Sequence, residues 1–176
     1  MASQLHMNRP NLENLGTVVP PPGYEIRTYN KGDEAAWAEI INNSLGPGWD
    51  AKKCRRQLTG RLRFRPYGLF FATYEGKPIG TACSWTHSLR EKKVGAVHMV
   101  GVVPEHQGRR LGYALCLSVL RFLQENGFQS ARLTTDDFRL PAIKTYLNLG
   151  FQPDYIEEDH KSRWITVFAN LESKNE

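Results

Sequence analysis

The residues with the most chemical potential lie between Gly95 and Gly112, in GAVHMVGVVPEHQGRRLG. A β-branched run (Val97, Val100, Val102, Val103) ends at Pro104. A short basic turn, Gln107-Gly108-Arg109-Arg110-Leu111-Gly112, follows and leads into the apolar, helix-like YALCLSVLRFLQENG. A strand passing through a glycine-containing basic turn into a helix suits a phosphate group. N–H groups at the helix start lack partners, the helix dipole favours negative charge, and glycine lets the backbone approach closely. The pattern predicts a phosphorylated ligand. A P-loop would need a glycine followed five residues later by Gly-Lys-Ser/Thr, and a dinucleotide fingerprint needs G-x-G-x-x-G; Gly108-x-x-x-Gly112 fits neither.

The elements that must position this turn can be read along the chain. Residues 1–22, ending in Pro20-Pro21-Pro22, read as an extended N-terminal arm, residues 23–171 as one domain and residues 172–176 as a tail. Tyr24–Tyr29 alternates weakly, as a strand does. Asp33 suits the start of a helix through Ile40 and Ile41 that stops near Gly46-Pro47-Gly48, and Asp50 suits the cap of a second helix ending near Gly60. Leu69–Tyr74 and Ile79–Ser88 flank the hairpin turn Glu75-Gly76-Lys77. The strand Gly95–Val103 comes next, then a helix from about Gly108 to Asn126, closed by Gly127. Ala131–Thr135 reads as a strand. Pro141 opens a helix through Leu149 with Gly150 as its stop, and Phe151–Ile156 and Trp164–Asn170 read as two closing strands. The expected order is β-α-α-β-β-β-α-β-α-β-β. That is an α+β fold with a mixed, mostly antiparallel sheet flanked by helices and one βαβ crossover around the phosphate turn.

Bulk properties narrow the classes. At 176 residues, 40% hydrophobic and 23% charged, the chain is globular in composition and long enough to bury a core without staples. The three cysteines lack zinc spacing, no metal site is indicated, and no apolar run is long enough to span a membrane. Together with an N-terminus lacking a signal-peptide core, this points to the cytoplasm. The net charge of +5 favours an anionic ligand, and much of the excess lies between Lys52 and Arg65. Read functionally, that segment suits nucleic acid; read structurally, it is a solvated helix face and loop.

The basic turn resembles the acyl-CoA loop of the GCN5-related N-acetyltransferase (GNAT) family. That loop reads Gln/Arg-x-x-Gly-x-Gly/Ala after a strand often ending in Val-x-Pro; here Gln107–Gly112 follows Val102-Val103-Pro104-Glu105. A second family block, a helix with Ala-x-x-x-Tyr ending in Gly-Phe, appears as Ala142-Ile143-Lys144-Thr145-Tyr146-Leu147-Asn148-Leu149-Gly150-Phe151 and is similar to that of mycothiol-synthase-like members. Those members contain two such domains. The inferred element order matches the family fold from about Tyr24 to Asn170. Two positions depart from the pattern: Arg110 replaces the usual glycine, and Arg139 stands where many members carry Asn. A helical backbone at position 110 would tolerate the arginine, with its side chain directed outward.

The resemblance implies transfer of an acetyl group from acetyl-CoA (coenzyme A) to an amine of a small molecule or peptide, by direct attack on the thioester. The pyrophosphate would lie against Gln107, Gly108, Arg109, Arg110, Leu111 and Gly112, with Tyr113 beginning the helix behind it. The pantetheine arm would follow Val100 and Val102. Tyr146 is the expected proton donor to the departing thiolate, since a phenol with a pKa of about 10 stays protonated at neutral pH. The base is sought at His98. Strand alternation puts Ala96, His98, Val100 and Val102 on one face, and Ala96 stands where several family members carry a catalytic Glu. Glu105 is a weaker candidate.

Cys116 reads as core, Asp136 and Asp137 as a turn or as an attraction for a cationic amine, and His160 as an exposed turn residue. Trp49, Trp85 and His87 are candidates for the acceptor side. The acceptor would be chosen by the loop Leu45–Asp50 and the turn Ile156–Arg163, where Glu157, Glu158 and Asp159 hint at a cation. Two alternatives remain: a non-catalytic acyl-CoA-binding or regulatory module of the same fold, and a nucleic-acid-binding domain using residues 52–65. The protein is expected to act as a monomer or homodimer.

Overall fold

A computed structural model of the protein describes residues 3–173. Its centre is a seven-stranded sheet that runs, edge to edge, β2 (Tyr24–Thr28), β3 (Leu69–Tyr74), β4 (Lys77–Trp85), β5 (Val94–Val102), β6 (Ser130–Thr135), β1 (Leu5–Arg9) and β7 (Gln152–Asp154). All neighbouring pairs are antiparallel except β5 and β6, which are joined by α3 (Leu111–Glu125) as a crossover. The β3–β4 hairpin turns through Glu75 (φ 50°) and Gly76 (φ 78°), a two-residue turn whose twist matches that of its strands.

Strand alternation divides the core into two layers. Leu69, Phe71 and Cys83 face α1 (Glu34–Ser44) and α2 (Ala51–Cys54), where Trp37, Ile40 and Ile41 are almost fully buried. Ala72 and Ala82 face the other way, toward Leu115, Val119 and Leu120 of α3. That second layer also holds Ile143 and Tyr146 of α4 (Leu140–Asn148) and Trp164 and Val167 of α5 (His160–Glu172). Asp50 caps α2 as its sequence position suggests, accepting from Lys53 N at 2.6 Å, and α2 continues as a π turn over Arg55–Thr59.

Both ends of the chain depart from the sequence reading. The segment expected as an arm contributes β1, inserted between β6 and β7 and antiparallel to both. Trp164–Asn170 is not a closing strand but part of α5. Its β-rich residues place Trp164 and Val167 three apart, on one face of a helix, and that face is buried (1% and 2% exposed). Tertiary burial outweighs strand propensity here, because the sheet position that a last strand would fill is already held by β1. Residues 174–176 of the expected tail, and the first two of the arm, lie outside the described residues.

Candidate acyl-CoA site

The phosphate turn owes its shape to two left-handed residues. Gly108 has φ 74° and Arg110 φ 62°, so the expectation of an ordinary helical backbone at Arg110 is corrected. Alternating residues of this kind turn successive N–H groups toward one point. Among the described residues, Ala114 is the first of α3 whose N–H returns to a preceding carbonyl (Arg110 O, 3.2 Å), leaving the N–H groups before it open to a ligand. The strained conformation explains why glycine is usual at position 110; an arginine costs about 1 kcal/mol there. Its guanidinium stacks over Tyr113 (5.4 Å to the ring centroid), and Gln107 Nε2 fixes the turn by donating to Val102 O at 2.9 Å. His106 is held by Tyr24 (Oη to Nδ1, 2.9 Å).

Beside the turn the sheet opens. The parallel pairing of β5 and β6 covers only Val94–Ala96 against Ser130–Arg132, after which the strands diverge. At the same place Met99 adopts φ 51° and the β4–β5 register slips by one residue, forming a bulge. The bulge overturns the expected shared face. Ala96 and His98 lie opposite Trp85 and Cys83, on the α1–α2 side, whereas Val100 and Val102 pack in the layer of α3.

A cavity of about 630 Å3 runs along this opening. One wall is the turn, from Gln107 to Tyr113 without Arg109, which is exposed outside it. Val100, Gly101 and Val102 form the floor. The opposite wall is α4, through Ala142, Thr145, Tyr146 and Asn148, and the far end is closed by Ser44, Leu45 and Arg139. Arg110, Arg139 and Lys144 border the cavity, and no carboxylate does among the described residues. Thus Val100, Val102, Gln107, Gly108, Arg110, Leu111, Gly112, Tyr113 and Tyr146 come together as the sequence predicted, while His98 and Arg109 do not line the same space. Thr145 and Asn148 were missed. Their spacing from Ala142, three and six residues, follows one helical face and was the available signal.

Tyr146 is 7% exposed; burial, then the neighbouring Cys116, pushes its hydroxyl pKa well above the usual value. Cys116, expected as plain core, is buried but borders the cavity, and its thiol is pushed up to about 12 by desolvation. His98 stacks on Trp85 at 5.8 Å between centroids. Desolvation, then the neighbouring His87, lowers its pKa to about 4, although the residue is exposed to solvent.

Three of the acids singled out in the sequence, Asp136, Asp137 and Asp159, are already paired. Asp136 holds Arg139 (2.7 Å), which reaches Leu45 O, and Asp137 and Asp159 both bind Arg163. Arg163 foremost, in a side-chain hydrogen bond, holds the Asp137 carboxyl below the usual range. His160 is fully buried at the start of α5, not exposed, because α5 packs it against His6 and the Asp154 carbonyl. The basic segment is partly folded inward, with Lys53, Arg63 and Arg65 lying over the rings of Trp49, Trp85 and Phe128. Among the described residues, no helix is long and apolar enough to cross a membrane, and no group of three or more His, Cys, Asp or Glu could hold a metal ion.

A left-handed glycine turn at the opening of β5 and β6, facing a helix that carries Tyr146 within a seven-stranded mixed sheet, is the arrangement of an acyltransferase-type α+β fold. Residues 35–151 match the family model described as "Acetyltransferase (GNAT) family", and the chain belongs to that family. It is 34% identical over 154 residues to a mycothiol acetyltransferase of Thermomonospora curvata, covering 84% of this chain and 50% of the relative. A mycothiol acetyltransferase of Nocardia farcinica is 32% identical over 155 residues, with 81% and 50% covered. The chain therefore spans about half the length of these curated relatives. The crystal structure of a GCN5-related N-acetyltransferase from Sphaerobacter thermophilus superposes with a TM-score of 0.71 at 22% identity, over 85% of this chain and 48% of that one, and shares the fold.

Proposed function

We propose that the protein is an acetyl-CoA-dependent N-acetyltransferase acting on an amine of a small molecule or peptide. One observation carries this reading: a single cavity joins the Gly108–Gly112 turn, the unpaired length of β5 and Tyr146, with three cations and no carboxylate on its walls. Those residues fit coenzyme A. The open N–H groups and Arg110 suit its pyrophosphate, and the free edge at Val100 suits the amides of its pantetheine arm in the manner of an added strand. Val102 O already accepts from Gln107 Nε2 and keeps a second lone pair for a ligand. When bound, acetyl-CoA supplies an acetyl group already activated as a thioester.

Tyr146 keeps its proton at any physiological pH. A thiolate with a pKa near 8.5 is too weak a base to remove the proton from a phenol above 10, so Tyr146 acts by donating a hydrogen bond to the leaving sulfur. His98 is neutral at pH 7; with its pKa lowered to about 4 it is too weak a base to deprotonate an ammonium of pKa about 10. It therefore accepts a hydrogen bond from an amine that arrives neutral and passes the proton on through water, from the face opposite the cavity floor. The decisive experiment combines a calorimetric titration with coenzyme A and thiol release from acetyl-CoA across a panel of amines. Binding with turnover of at least one amine is expected. Absence of coenzyme A binding would end this reading. Binding without turnover would favour the non-catalytic acyl-CoA module, a reading supported by Ala96, which leaves the site without the carboxylate that several family members carry.

A further inference from the structure

On the α1–α2 face of the sheet, where β5 and β6 begin to part, four elements bring basic and imidazole side chains together. β5 contributes His98, β6 contributes Arg132 opposite Ala96, the segment after α2 contributes Arg63, and the residues after β4 contribute His87. Trp85 sits between them, stacked on His98 and covered by the Arg63 guanidinium at 5.2 Å. Arg63 is anchored by donating to the Thr86 and His87 carbonyls, at 3.2 and 2.5 Å, which fixes its position without neutralising it. Arg132 is half-buried; its Nε is buried with no hydrogen-bond partner, and it makes no ion pair among the described residues.

Glu91 is the one described acid that acts electrostatically on Arg132 and His87; it forms no ion pair within 4 Å with either, and its carboxylate accepts from the Lys93 and Val94 N–H groups at 3.3 Å. Asp136, further along, is bound by Arg139 and by Gln4 Nε2. A guanidinium with a buried, unbonded Nε and no contact ion pair is costly to maintain, and an anion from outside would satisfy it. His98 precedes Val100 of the cavity floor by two residues, across the bulge at Met99, so the patch and the cavity lie on the two faces of the same opening. The patch therefore adjoins the proposed acetyl-transfer site.

We propose that the acceptor is an amine that also carries an acidic group, carboxylate or phosphate, and that Arg132 and Arg63 hold that group beside His98. This assignment rests on the acetyltransferase reading above. It replaces the cationic acceptor suggested by Glu157, Glu158 and Asp159, for which no free carboxylate lines the cavity. It also offers a substitute for the missing carboxylate at Ala96. Two nearby guanidinium groups disfavour an ammonium ion, lowering the pKa of the bound amine and raising the fraction with a free lone pair.

The test uses NMR of the imidazole signals while inorganic phosphate, and separately acetate, is added to the whole protein. Saturable shifts at His87 and His98 are expected, weakened about tenfold or more in Arg132→Gln, the loss of one charge-assisted contact. Whichever ion binds more tightly identifies the acidic group. Shifts that do not saturate, or that are equal in the variant, would overturn the proposal. Should Arg132→Gln not fold, Arg63→Gln carries the same comparison from the opposite wall. Turnover of matched pairs, an amino acid against its amide and a hexosamine phosphate against its hexosamine, should favour the acidic member; equal or better turnover of the neutral one sinks the assignment. Coenzyme A affinity on the same samples separates the two readings. If coenzyme A binds and the anions do not, only the acceptor assignment fails. If coenzyme A does not bind, the acetyltransferase reading fails and takes the acceptor assignment with it.

Discussion

The two sides of the opening between β5 and β6 are built from different materials. On the α3 side the proposed cofactor site is made of backbone: the left-handed Gly108 and Arg110, the open N–H groups before Ala114 and the free edge at Val100. On the α1–α2 side the proposed acceptor site is made of side chains from four separate segments: His98 and Arg63 against Trp85, Arg132 opposite Ala96, and His87 within electrostatic reach of Arg63 and Arg132. A backbone site tolerates change in most of its side chains and fails when its dihedral angles are disturbed. A side-chain site behaves the opposite way, and it can be re-specified one residue at a time.

The largest effect that would break this contrast is at Gly108. A β-branched residue cannot adopt φ 74° without strain, so Gly108→Val should scatter the N–H groups. Loss of two charge-assisted hydrogen bonds, about 1.5–3 kcal/mol each, predicts coenzyme A binding weaker by roughly a hundredfold or more in calorimetry. Next in size is Tyr146→Phe. If the phenol acts only on the leaving sulfur, kcat should fall by about a hundredfold while KM for acetyl-CoA hardly moves. An equal rise in KM would instead place Tyr146 in ground-state binding.

His98 sharpens the other side through pH. Its folded pKa lies below the unfolded value, so the unfolded chain binds the extra proton. Its contribution to stability is complete above pH 6.5 and is lost as pH falls toward 4. The melting temperature of wild type should therefore drop more steeply over that window than that of His98→Gln, measured side by side. An identical slope would mean that His98 is well solvated in the folded state. The smallest effect is expected at Arg110→Gly. The glycine relieves about 1 kcal/mol of left-handed strain and removes one charge, so thermal stability should hold or rise slightly while coenzyme A affinity falls less than about tenfold. A larger loss would show that this half of the site depends on a side chain after all.

The same contrast governs what could be read from the sequence. Backbone devices leave local signatures: the strand, the glycine turn and the helix of residues 95–126 are contiguous, and Ala142–Phe151 forms one helix with its stop. Nearly every residue expected to hold the cofactor therefore lines the cavity. The bulge at Met99 has no such signature, because a methionine in an apolar run gives no sign of positive φ, and so His98 was placed on the wrong face. Arg63 and Arg132 are almost seventy residues apart in the chain, and only the sheet brings them together. The end of the fold was misread for a related reason. Whether Trp164–Asn170 becomes strand or helix depends on a sheet position claimed by residues 5–9, far away in the chain.

That claim by β1 also has a bearing on time. His6 pairs with Thr134 and Asp154, so on the ribosome this strand waits for partners made more than a hundred residues later. At about 5–20 residues per second, the wait is of the order of ten seconds. During it, Leu5 and Met7 lack the Ala131, Leu133 and Phe151 side chains with which they share a core. The sheet is therefore completed late, by closing a very long loop, the kind of contact that slows folding most.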